Sequence, residues 1–164
     1  MDGLSVAASI IGVIQLAGSI AKLCGGYIQD VKDASADIIA LRQAINGLIS
    51  VLENLAAILN NPNSGLGITL VLKDDIRTCL LTLEALEGKV GMGKGKKAMK
   101  RLGLRALKWP LKRSEVEKVM GDIERYKSSF SLSLQVDQMW VLAALLGIPR
   151  DVNKADSVHL SGQS

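Results

Sequence analysis

The chain has 164 residues, 48% of them apolar but only 3% aromatic, and carries a formal net charge of +4. That length suits one domain with a real core, and the composition predicts a core of Leu, Ile, Val and Ala. The only histidine, His159, lies in a polar tail, Cys24 and Cys79 show no CxxC spacing and the acids are scattered, so a histidine-based triad is excluded, and no enzyme, metal site or cofactor is expected.

The first predicted helix runs from Leu4 towards Lys32. Between Leu4 and Ile28, Lys22 is the only charge, and a run of about 18 or more apolar residues is long enough to cross a bilayer. Ser5, Ser9, Gln15 and Ser19 interrupt it, and small residues recur every fourth position: Ala8 with Gly12, then Ala17, Ala21 and Gly25. Such a stripe lets another helix approach closely, in protein or in lipid. Each glycine costs about 1 kcal/mol in a helix relative to alanine, so the stripe asks for a reason. Two readings stand. The segment is a close-packed bundle helix, or it is one that leaves a bundle and inserts into a membrane, with Leu4, Ala8, Ile11, Gly12, Gly18, Ala21 and Gly25 as the inserting residues. A secretory signal peptide is not expected, because Asp2 stands where a basic region belongs.

Asp33 or Ser35 then caps a second helix from about Ala34 to Leu59. Ile38, Leu41, Ile45, Leu48, Leu52, Leu55 and Leu59 alternate spacings of three and four, a heptad seam. The turn formers from Asn60 to Gly65 end it. A third helix fits about Ile68 to Glu87, with Leu72, Ile76, Cys79, Leu80, Leu83, Leu86 and Val90 on its apolar side, and Gly88, Gly91, Gly93 and Gly95 are expected to break it. Between Glu87 and Glu115 there are ten basic residues and no acid, leaving ten basic against sixteen acidic residues elsewhere.

The basic stretch predicts a short cationic helix from Lys96 to Lys108, stopped by Trp109-Pro110. Ser114-Glu-Val-Glu117 has the form of a capping box with Ser114 as N-cap. The last long helix carries Val116, Val119, Met120, Ile123, Tyr126, Phe130 and Leu134, continues through Met139, Trp140, Ala143 and Leu146, and ends by Pro149. The domain is therefore read as residues 1–148, with 149–164 a mobile polar tail. No strand and no internal repeat is predicted. The fold class is all-α, a bundle of four to five helices.

Gly88-x-x-x-x-Gly93-Lys94 is not a phosphate-binding loop, because Gly95 replaces the magnesium-binding Ser or Thr and a helix precedes it. For the basic stretch three readings compete. A solvated loop is the plainest. Nucleic acid needs stacking aromatics among the cations and only Trp109 offers itself, so that partner is not expected. An anionic lipid surface needs only clustered cations, each contributing roughly 1 kcal/mol near the membrane; Lys94, Lys96, Lys97, Lys100, Arg101 and Arg105 are its candidate contacts.

The opening Gly3-Leu-Ser-Val-Ala-Ala-Ser-Ile-Ile-Gly12, the junction Val31-Lys-Asp-Ala-Ser-Ala-Asp-Ile38 and Leu107-Lys-Trp-Pro-Leu-Lys-Arg-Ser-Glu-Val116 resemble the HeLo-like N-terminal domain of fungal STAND (NOD-like receptor) proteins. So do Ile123-Glu-Arg-Tyr-Lys127 and Leu132-Ser-Leu-Ser-Leu-Gln-Val-Asp137. The resemblance implies a helical bundle related to the four-helix executioner domain of necroptosis. It also implies programmed cell death in heterokaryon incompatibility or immunity, in which the first helix permeabilises membranes once the domains cluster. The expected partners are anionic membrane lipids, further copies of the chain on activation, and an upstream fungal NOD-like receptor. The expected location is the cytoplasm at rest and the plasma membrane on activation. Related domains also act as non-toxic adaptors, and the chain is read as either an excised domain or a stand-alone relative.

Overall fold

A computed structural model describes residues 3–30, 36–61, 66–91 and 109–147, apart from the side chains of 3–5, 30 and 66–71. Four helices make up these residues: α1 Gly3–Asp30, α2 Ala36–Leu59, α3 Leu66–Gly91 and α4 Arg113–Leu145. Among the described residues there is no strand. The all-α bundle expected from the heptad spacing is what forms.

Side-chain pairings set the directions. Gly25 of α1 faces Arg42 of α2, so these two run antiparallel. Tyr27 near the end of α1 reaches Val90 near the end of α3, so those run parallel. Lys89 pairs with Glu115, Thr82 with Tyr126 and Asp75 with Ser129, which sets α3 and α4 antiparallel. Among the described residues α1 packs on α2 and α3, and α4 packs on the same two from the other side. Backbone contact is close in neither the α2–α3 nor the α1–α4 pair. The helices therefore stand in a ring, with α1 and α4 at opposite corners.

Each helix turns one apolar seam inward. On α2, Ile38, Leu41, Ile45, Leu48, Leu52 and Leu55 are buried and Leu59 half-buried. On α3 it is Leu72, Ile76, Cys79, Leu83, Leu86 and Val90, with Leu80 half-buried. On α4, Val116, Ile123, Tyr126 and Phe130 are buried while Val119, Met120 and Leu134 are half-buried. Full burial of a Leu or Ile stabilises by about 1.5–3 kcal/mol, so these seams carry the fold. The Cys79 thiol is pushed up to about 12 by burial and stays protonated.

Some boundaries differ from expectation. α3 continues through Gly88 to Gly91, because Val90 is buried, its carbonyl accepts from Tyr27, and Lys89 meets Glu115 at 2.9 Å. Three contacts outweigh the ~1 kcal/mol that a helical glycine costs. The N-cap of α4 is Lys112, not Ser114: the Glu115 carboxylate accepts the Lys112 backbone N–H at 2.9 Å, so the returning acid is two residues earlier than Glu117. α4 does extend through Met139, Trp140 and Ala143, but Met139, Trp140 and Leu146 are exposed. Gly147, at φ +70, closes the helix by donating to the Ala144 carbonyl, a left-handed position suited to glycine. The cap at Asp33 or Ser35, the helix over Lys96–Lys108 and the tail 149–164 lie outside the described residues.

Glu115 yields a pH prediction. The Lys112 backbone N–H, then the Lys89 ammonium, hold its carboxyl below the usual 4.5. A depressed folded value stabilises above the unfolded value and loses that effect as the pH falls through the folded one. The urea midpoint of wild type should exceed that of Glu115→Gln at pH 7, and the gap should shrink by pH 3. An undiminished gap at pH 3 contradicts this.

Candidate functional site

α1 is built from residues that are apolar on almost every side. Val6–Gln29 is 24 residues long with a mean hydropathy of 1.7, long and apolar enough to cross a membrane by length and composition. At ~1.5 Å per residue it measures about 36 Å, against a hydrocarbon core of about 30 Å. In the bundle, Val6, Ile10, Val13, Ala17, Ile20, Cys24 and Tyr27 are buried. Their spacing alternates four and three, the same seam that α2 carries. The sequence reading did not find it, because Ile11, Ile14, Leu16 and Leu23 fill the other faces and hide the period.

The expected inserting residues fall on two sides. Ala8 and Ile11 are exposed, and Gly12 and Gly18 are half-buried with nothing within 4 Å of where a Cβ would stand. Ala21 is buried, and a Cβ on Gly25 would meet the Arg42 guanidinium at 3.4 Å, an ordinary contact. The Leu4 side chain lies outside the described residues. Close packing inside the bundle therefore does not account for Gly12 or Gly18. The outward face of α1 reads Ala8, Ile11, Gly12, Gln15, Gly18 and Lys22, with Lys22 its only charge. A surface helix of a soluble bundle ordinarily shows charged residues there.

Polar contacts tie α1 to α3 at one end. The Ser19 hydroxyl donates to Glu87 at 2.9 Å, and the Tyr27 hydroxyl donates to the Val90 carbonyl at 3.1 Å. Trp109, from the Trp-Pro junction, meets Tyr27 edge to face with ring centroids 5.0 Å apart. Ser19 stood out in the sequence only as a polar interruption of the apolar run, and nothing singled out Tyr27. Lys94, Lys96, Lys97, Lys100, Arg101 and Arg105 lie outside the described residues. Among the described residues no group of three His, Cys, Asp or Glu could hold a metal ion.

The family model described as pigment biosynthesis cluster protein PigL N-terminal matches residues 1–143. No curated protein and no solved structure matches the chain.

The open space at the two glycines sets an expectation for stability. Gly12→Ala and Gly18→Ala should each raise the unfolding free energy, by up to about 1 kcal/mol, because helix propensity improves and nothing is displaced. Chemical denaturation measures it, and a loss of stability in either variant contradicts the open face.

Proposed function

The chain belongs to the PigL N-terminal family, a fungal pigment-cluster domain family related to HeLo-like domains, and we propose that it is a membrane-targeting cell-death effector domain. In this reading the HeLo-like resemblance extends to fungal STAND proteins. The chain rests in the cytoplasm until an upstream NOD-like receptor clusters several copies at the plasma membrane. α1 then inserts and permeabilises the bilayer.

The observation that carries the reading is that from Val6 to Gln29 α1 lacks charge on its outward face as well as on its seam, Lys22 excepted. Lys22 costs about 2.5–3.5 kcal/mol at a bilayer centre, while each Val, Ile or Leu contributes about −0.3 to −0.6. Val6–Gln29 holds nine of those residues, so the two contributions are of similar size. Lys22 also stands seven residues from Gln29, about 10 Å along the helix, from where a long cation snorkels to the interface. Partition of the helix itself is thus near balance, and leaving the bundle also forfeits the burial of its seam. Departure of α1 would uncover the inward faces of α2 and α3, since both pack on it. Clustered copies cover such faces for one another, which couples insertion to self-association. Lys94, Lys96, Lys97, Lys100, Arg101 and Arg105 supply the initial contact with anionic headgroups.

Gly12→Glu and Gly18→Glu separate function from folding, because those positions are open and glutamate is a better helix former than glycine. Both variants should melt no earlier than wild type yet fail to release dye from phosphatidylserine vesicles. A folded variant that leaks normally refutes the membrane role and leaves the adaptor reading. The initial binding should weaken between 0.1 and 1 M salt as the Debye length falls from ~10 to ~3 Å, and glutamine at all six basic positions should abolish it. Unchanged vesicle binding in that variant removes the basic stretch from the account.

A further inference from the structure

We propose that Trp109-Pro110-Leu111, the short strap that leads into α4, is an autoinhibitory latch. It pins the last turns of α1 into the bundle through Trp109 on Tyr27, and its release is the step that lets α1 go. The consequence for membranes rests on the reading of α1 given above, while the latch itself is a property of the free protein. The strap is stiff and fastened at its far end. Residues 109–112 are not helical; Pro110 fixes its own φ and keeps Trp109 out of the α region. Leu111 is buried, and Lys112, the N-cap of α4, is extended at φ −77 and ψ 155. Glu115 accepts from the Lys112 backbone N–H and from the Lys89 ammonium, each at 2.9 Å, which ties the strap to the ends of α3 and α4.

From there Trp109 reaches α1. Its ring meets that of Tyr27 edge to face, with centroids 5.0 Å apart and planes at 87°, a favoured aromatic geometry. Tyr27 is buried, and its hydroxyl donates to the Val90 carbonyl at 3.1 Å. One side chain of α1 is thus held twice, by α3 through its hydroxyl and by the strap through its ring. Tyr27 is also the last residue of the α1 seam. The Ser19 contact with Glu87 lies eight residues earlier, more than two turns away. The last turns of α1 therefore depend on what holds Tyr27.

The latch is made to open. The Trp109 Nε1 atom is buried, and its N–H donates to no acceptor. Buried donors are ordinarily paired, and an unpaired one penalises the seated position. Lifting the strap gives that N–H water or a headgroup oxygen. Tryptophan is at home at a membrane interface, where one end of the ring is apolar and the other wet. Lys112 and Arg113, three and four residues further on, are exposed and suit an anionic headgroup. An anionic lipid surface therefore competes with Tyr27 for Trp109, and its arrival loosens α1. A contact that served stability alone has no reason to leave its donor unpaired.

The two cysteines read the latch in the full chain without any membrane. Cys24 is buried three residues before Tyr27, and burial pushes its thiol up to about 11, so it reacts only when the end of α1 opens. Cys79 is equally buried but stands eleven residues before Val90 on α3, about 16 Å along the helix, and reports opening of the whole bundle. Maleimide labelling, read by peptide mass, should be about tenfold faster at Cys24 in Trp109→Ala and within about threefold of wild type at Cys79. Trp109→Phe keeps an aromatic ring and loses the unpaired N–H, so Cys24 should label near the wild-type rate. Phe130→Leu, which loosens the core away from the strap, should raise both rates together. No change at Cys24 in Trp109→Ala, or equal changes at both cysteines, overturns the proposal. On phosphatidylserine vesicles Trp109→Ala should release dye about tenfold faster than wild type. An unchanged release rate from a variant whose Cys24 is freed also overturns it. If neither protein releases dye while Cys24 still responds, the membrane reading fails and the latch stands.

Discussion

The bundle depends on the burial of one seam, Val6 to Tyr27 of α1, between two helices that do not pack closely on each other. α2 and α3 face one another across the core, and α1 and α4 close the two remaining sides. No neighbouring helix duplicates what α1 covers. Its removal is therefore not the loss of a peripheral helix: it opens the inward faces of α2 and α3, which both pack on it, to water. Water penalises that exposure heavily; a lipid phase or a second copy does not. The same seam that makes the resting fold stable makes any departure of α1 a cooperative event, tied to whatever covers the vacated faces.

The two outer corners of the ring treat solvent differently. α2 and α3 meet water with charges such as Arg42, Glu53, Lys73 and Glu84, all exposed. α1 meets it with small residues and glutamine, and the last turns of α4 meet it with Met139, Leu142, Leu145 and Leu146. Both unusual faces belong to α1 and α4, which stand opposite one another in the ring. Hydrophobic residues exposed singly are ordinary. A run of them over the last turns of one helix is not.

How much of this could be read from the sequence depended on how many polar residues separated the apolar ones. In α2, Arg42, Gln43, Asn46, Glu53 and Asn54 punctuate the seam, so the period of three and four stands out and the burial follows it. In α1 the same period exists but apolar residues fill the intervening positions, so small residues drew attention and the seam did not. Ala21 is buried and Gly25 faces α2, but Ala8, Gly12 and Gly18 face outward, a division that a four-residue spacing does not reveal by itself. The end of α3 was misplaced because glycine propensity is local, whereas Val90 and Lys89 are held by Tyr27 and Glu115 from distant parts of the chain. The continuation of α4 through Met139, Trp140 and Ala143 was legible, but the exposure of Met139 and Trp140 was not. Leu134 and Met139, five residues apart on the same helix, stand on different sides of it, the first half-buried and the second exposed.

The central claim is that α1 acts by leaving the bundle, and a reversible tether tests it most directly. Ser19 and Glu87 are joined by a 2.9 Å hydrogen bond, so cysteines at the two positions, linked by a short bis-methanethiosulfonate reagent that forms a disulfide with each thiol and releases sulfinate, fasten α1 to α3 until a reductant cleaves the link. The account predicts that the tethered protein binds anionic vesicles but releases no dye, and that cleaving the linker restores release. Full release from the tethered protein, before cleavage, would contradict it.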